Sequence, residues 1–179
     1  MSKQSLSFKK VTPSAAEFDI ALDILQTSFP PIETRSRSEQ IAVAKHPDYN
    51  LCLVLDGATP VGVVGYWQMP QMLYLENFCV APELRNSGYG GAIVSMLANL
   101  ACGNPFVLEA ELPTDDLARR RIGFYKRNGM VENAYPHIQA HLRAGDPDLS
   151  LLVLSYKQPL LENDYAEFRK YLNDNVDIR

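Results

Sequence analysis

Tyr74-Leu-Glu-Asn-Phe-Cys-Val-Ala-Pro-Glu-Leu-Arg85-Asn-Ser-Gly88-Tyr-Gly90-Gly91 reads as a buried strand, a tight glycine turn and the start of a helix. Gly88 and Gly90 lack a Cβ, so the backbone from Arg85 to Gly90 can curl with its N–H groups turned inward. The helix that follows adds the positive end of its dipole. Together these features predict a cradle for a pyrophosphate that needs no lysine.

Working outward, residues 50–55 and 61–67 flank Asp56-Gly57-Ala58-Thr59-Pro60, a hairpin-like turn between two apolar strands. Downstream of the quoted run, Ile93, Met96, Leu97 and Leu100 form a helical stripe, and Pro105 opens a strand at 106–112. Strand, helix and strand make a crossover unit whose two strands should be parallel neighbours. Pro113-Thr114-Asp115-Asp116 caps a further helix through Asn128, with Gly129 placed for a left-handed C-cap. Strands near 131–135 and 149–156 follow. A last amphipathic helix carries Leu161, Tyr165, Phe168 and Leu172 on one face, which could close the core or contact a second subunit.

Toward the N-terminus, a short first strand precedes Thr12-Pro13, read as a helix start, after which Phe18, Leu22, Leu25 and Phe29 recur at helical spacing. Phe29-Pro30-Pro31 breaks that helix. The polar stretch 33–39 reads as an exposed hinge, suited to a substrate lid, leading into a weaker helix that ends near His46-Pro47. No internal repeat or linker interrupts the pattern, which predicts one mixed α/β domain over residues 1–179.

A hydrophobic fraction of 46% and a charged fraction of 21% are ordinary for a globular protein, and a net charge of -4 argues against nucleic-acid binding as the main task. No apolar run has the length of a signal peptide or membrane span, so the expectation is a cytoplasmic protein without membrane partners. Cys52, Cys79 and Cys102 lie in apolar patterns without metal spacing, and are expected to be reduced core residues with no metal site. His137 and His141 read as surface residues.

The order helix, helix, antiparallel strands, then strand, Arg-x-x-Gly-x-Gly, helix, strand, helix resembles the GNAT superfamily of acetyl-CoA-dependent N-acetyltransferases, across nearly the whole chain. Val80-Ala-Pro-Glu-Leu-Arg85-Asn-Ser-Gly88-Tyr-Gly90 matches the pyrophosphate loop, and Phe124-Tyr125-Lys-Arg-Asn-Gly129-Met130 matches the helix with its tyrosine and terminal glycine. The phrases Tyr74-Leu-Glu76-Asn-Phe-Cys-Val and Ile122-Gly-Phe-Tyr-Lys-Arg-Asn-Gly are similar to spermidine/spermine acetyltransferases within that superfamily. The resemblance implies a mixed, mostly antiparallel sheet whose central parallel strand pair splays around the cofactor, flanked by helices and closed by a C-terminal helix. It also implies transfer of acetyl from acetyl-CoA directly to a primary amine. A small cationic amine or polyamine is favoured, with a peptide N-terminus, a lysine or an aminoglycoside as the open alternatives.

An amine with a lysine-like pKa is neutral in only about one molecule in 10³ to 10⁴ at pH 7, so transfer needs a proton acceptor nearby. Glu76 holds the place of the proposed base in the polyamine enzymes, and is a carboxylate in an otherwise apolar strand. Glu109 and Glu111 on the neighbouring strand are its rivals. The resemblance gives Tyr125 the role of acid toward the coenzyme A thiolate, and its helical position turns the ring toward the sheet. Cofactor contacts are expected from the backbone at Phe78, Cys79 and Val80, which would steady charge on the thioester oxygen. Further contacts are expected from the loop Arg85, Asn86, Ser87, Gly88, Tyr89, Gly90 and Gly91. Arg121 must lean toward the sheet, to meet a cofactor phosphate or one of Glu109 and Glu111. Family specificity lies in early helices and late strands, here 29–37 and 135–143, so Phe29 and Glu33, with Glu109 and Glu111, are candidates for acceptor contact. A dinucleotide-binding unit is the disfavoured rival, because its third glycine or alanine would fall at Ile93. The remaining alternative is a non-catalytic acyl-CoA-binding module, which the departures from the family pattern at Asn86, Ala118 and Arg121 permit.

Overall fold

The computed structural model describes residues 6–143, 145 and 147–177. Its strands are β1 (Leu6–Lys10), β2 (Tyr49–Asp56), β3 (Thr59–Met69), β4 (Met72–Val80), β5 (Phe106–Glu111), β6 (Met130–Asn133) and β7 (Leu151–Tyr156). They form one sheet in the order β1-β2-β3-β4-β5-β7-β6, antiparallel except for the β4–β5 pair. The helices are α1 (Glu17–Ser28), α2 (Arg37–Val43), α3 (Tyr89–Leu100), α4 (Asp116–Arg127) and α5 (Glu162–Asn175). α3 is the crossover that allows β4 and β5 to run parallel, as its apolar stripe implied.

Each face of the sheet has its own core. Phe18, Leu22 and Leu25 of α1 and Phe168 and Leu172 of α5 pack on one face, around Tyr49, Trp67 and Tyr74. Ile93, Val94 and Leu97 of α3 and Ile122 and Tyr125 of α4 pack on the other, around Leu73, Leu75 and Leu108.

The decisive irregularity lies in β4. Leu75 pairs with Tyr66 and Asn77 with Gly65, which leaves Glu76 as a surplus residue, a β-bulge. Side chains alternate along a strand with a period of two, so one extra residue reverses which face each parity serves. Tyr74 therefore joins the α1–α5 core, whereas Phe78 and Val80 pack toward α3 and α4. The bend also parts β4 from β5, whose pairing covers only Leu73–Leu75 against Phe106–Leu108. Beyond Leu75, the edge of β4 has no strand partner on its β5 side among the described residues. A cleft opens through the sheet there.

Three readings need correction. The stretch 33–39 is not an open hinge: Thr34 and Arg35 are 4% and 3% exposed, and Ser36 with Glu39 forms a capping box that starts α2. Its polar composition disguised a buried ion pair. The residue preceding α1 is Ala16 rather than Thr12, with a short turn between them. Cys102 is exposed at a left-handed position after α3, while Cys52 and Cys79 are buried as expected.

Candidate active site

The cleft has a volume of about 720 Å³, and its walls come from both faces of the sheet. On the α3–α4 side lies the loop after β4. Asn86 has φ of 63° and Gly88 has φ of 82°, so two left-handed residues turn the chain into α3. Asparagine tolerates that region better than other residues bearing a Cβ, so Asn86 can stand where a glycine would be usual. N–H groups in the first turn of α3 have no acceptor within the helix. Gly90 has no room for a side chain, since a Cβ would sit 2.9 Å from the Phe124 ring. Arg85, Arg120 and Arg127 also line the cleft. Backbone donors, a helix N-terminus and arginines fit a pyrophosphate-bearing group such as coenzyme A. Ser87 belongs to this loop, and Phe78, Cys79, Val80, Tyr89 and Gly91 line the cleft with it. Among the described residues, no group of three or more His, Cys, Asp or Glu could hold a metal ion.

Tyr125 reaches the cleft from α4. It is buried at 8% exposure, and burial is the main cause that pushes its phenol up to about 12. Arg121 opposes that rise, whereas the carboxylates of Glu111 and Glu33 and the Cys79 thiol add to it. Tyr125, Cys79, Glu33 and Glu111 all line the one cleft. Arg121 takes the protein option among its alternatives, pairing with Glu111 at half-buried positions.

On the α1–α5 side, four carboxylates have different fates. The Glu76 side chain is 1% exposed, with Arg35 Nη1 donating to Oε1 and the Trp67 indole donating to Oε2 at 2.8 Å. Arg35 itself lies over the rings of Tyr49 and Trp67. The bulge thus points Glu76 into a cage with both oxygens engaged. Glu109 accepts from the Tyr74 hydroxyl at 2.6 Å and pairs with His137. Glu111 holds Arg121. Glu33 sits between α1 and α2 against Glu111, and its carboxyl is raised to about 7. Burial is the largest cause, followed by the charge of Glu111.

The segment carrying Glu33 is fixed by long-range bonds. Asn77 donates to the Glu33 carbonyl at 3.3 Å, and Arg143 Nε donates to the Thr34 carbonyl at 2.7 Å. Phe29 lines the cleft beside it. The cleft therefore brings together Phe29, Glu33, Glu109, Glu111, Arg121 and Tyr125. His137 and His141 are buried, at 4% and 5% exposure, contrary to the surface positions expected of them. Sequence reasoning also missed Arg35 and Trp67 as the partners of Glu76: Trp67 comes to it through the β3–β4 register, and Arg35, 41 residues away, from the segment before α2.

A family model described as acetyltransferase (GNAT) family matches residues 18–130. Among solved structures, a protein from Bacteroides thetaiotaomicron assigned to that family is 29% identical, with 95% of this chain and 97% of that one covered and a TM-score of 0.87. A Bacillus subtilis acetyltransferase in complex with CoA is 14% identical, covering 87% and 99%, with a TM-score of 0.58. A spermidine N-acetyltransferase chimera from Vibrio cholerae is 12% identical, covering 94% and 98%, with a TM-score of 0.61. The latter two share the fold alone. No curated protein matches the chain.

Proposed function

The chain belongs to the GNAT family of acetyltransferases, and from that premise we propose that it transfers acetyl from acetyl-CoA directly to a primary amine carried by a small cation. Bound acetyl-CoA supplies an acyl group activated as a thioester. The observation that carries the reading is one cleft, at the opening between β4 and β5, lined by Tyr125 from the α3–α4 face and by Glu33 from the other.

The loop 85–91 binds the pyrophosphate, and the unpaired edge of β4 from Glu76 to Val80 offers backbone N–H groups to the thioester oxygen. Glu33 takes the proton of the ammonium, because a carboxyl titrating near neutrality combines availability with driving force. We assign that role to Glu33 in preference to Glu76, whose oxygens are already held by Arg35 and Trp67. Tyr125 returns a proton to the departing thiolate; its phenol is protonated throughout the working range. Glu33 and Glu109 make the acceptor wall acidic, which suits a cationic amine, polyamines included.

The test is acetyl-CoA binding by calorimetry followed by thiol release with a panel of amines. We expect kcat/KM to rise with pH until Glu33 is ionised near 7 and then level off. Glu33→Gln should lower the rate roughly 10²-fold or more and remove the part of that rise that belongs to kcat. A Glu33→Gln profile that overlays the parent's would remove it as the base. Tyr125→Phe should lower kcat by roughly 10²-fold with unchanged CoA affinity. CoA binding without release for any amine would leave only the binding-module reading.

A further inference from the structure

His137 is the one fully buried imidazole on the cleft side, and its surroundings accommodate two charge states. The Tyr165 hydroxyl stands 3.1 Å from Nδ1 and 2.8 Å from the Pro136 carbonyl, so its single hydrogen can point to either acceptor. When it points to Nδ1, that nitrogen is bare and the ring is neutral. When it points to Pro136, Nδ1 can carry a hydrogen and donate it to the Tyr165 oxygen. In both states Nε2–H faces Glu109, whose other oxygen accepts from Tyr74. The Glu109–His137 pair then carries one negative charge with the neutral ring and none with the imidazolium. Phe168, stacked on the ring at 5.8 Å, holds its orientation.

The titratable and charged groups around the pair are Tyr74 on β4 with Glu76 and Arg35 beyond it, Glu111 on β5, Tyr165 and Arg169 on α5, and Tyr135 on the segment itself. Arg35 is neutralised by Glu76, Arg121 by Glu111, and Arg169 donates to the Ile138 carbonyl. Protonating the pair therefore changes the charge of this part of the wall by one unit; Glu109 lines the cleft together with Glu33, whose carboxyl is raised to about 7, and Arg169 keeps its charge.

We propose that His137 is a positioning residue that sets the charge presented by Glu109, so that the cleft holds a cationic acceptor while the imidazole is neutral and releases it when the imidazole is protonated. This rests on the acetyltransferase reading for its consequence in turnover, but the charge switch itself does not. Coupling is reciprocal: a cation bound at Glu109 must favour the neutral ring.

The whole chain, labelled with ¹⁵N-histidine, is titrated between about pH 5 and 9 with and without saturating putrescine. The absence of one signal set in His137→Gln assigns the resonance among the three histidines. We expect a neutral ring protonated at Nε2, and a midpoint moved down by about one pH unit by putrescine. In kinetics, the putrescine KM of the parent should rise about tenfold as pH falls through the midpoint. His137→Gln, which keeps a donor to Glu109 but cannot become charged, should lose that component; its CoA affinity reports that it folds. A ring fixed in one charge state across the range, a neutral ring protonated at Nδ1, or a midpoint indifferent to putrescine would each overturn the proposal. A chain whose midpoint responds to putrescine but which never transfers acetyl would sink the enzymatic reading and leave the switch standing.

Discussion

Glu76→Ala would leave Arg35 charged between Tyr49 and Trp67 without its carboxylate. Removing one partner of a buried ion pair costs about 3–5 kcal/mol, which for a chain of this size lowers Tm by roughly 6–20 °C. Thermal denaturation checks this. A Tm within about 2 °C of the parent with lost turnover would instead return Glu76 to the chemistry. Single residues were legible in the sequence where their role is local. Gly88 sits at a left-handed position that a tight turn demands, and the inward direction of the Tyr125 ring follows from the helical period of α4; that Asn86 is left-handed too was not read from the sequence. The carboxylates were not legible. Which of Glu33, Glu76, Glu109 and Glu111 is free depends on Arg35, Arg121 and His137, each brought in from a distant element. The polar run that hides Arg35 gives no sign of its burial, and a histidine beside Pro136 gives none of its stacking on Phe168.

At the level of elements, β4 and the loop after it make the site by departing from regularity. A Cβ on Gly62 would be driven into the Cys79 carbonyl, a backbone atom in the paired strand that cannot move aside. Gly62→Ala should therefore lower stability by about 1–3 kcal/mol or more, and, because it pushes on the bulged strand, weaken CoA binding as well. Urea titration and calorimetry read the two effects separately. Gly90→Ala meets the edge of the Phe124 ring, and should weaken CoA binding with a smaller loss of stability. The positions of α3, β5, α4 and α5 were readable from period, proline and cap signals. The bulge at Glu76 was not, since a surplus residue leaves an apolar strand looking continuous and shows only when β3 is laid beside it.

For the whole molecule, the sheet separates two cores, and the cleft joins them at one place. The crossover and the parallel pair were readable in order of elements; the divergence of β4 from β5 needed the register. Because the loop 85–91 lies on one face and Phe29, Glu33 and Glu109 on the other, cofactor and acceptor need not compete for space. Initial-rate plots should intersect, as for two substrates bound together; parallel lines would contradict direct transfer. The same division has a consequence for descent with modification. If the proposed assignment of the two faces holds, substitutions along 29–37 and 135–143 re-aim the protein at a new acceptor while the cofactor half stays under constant selection, so new specificities arise by rewriting one side of a wall and leaving the other side alone.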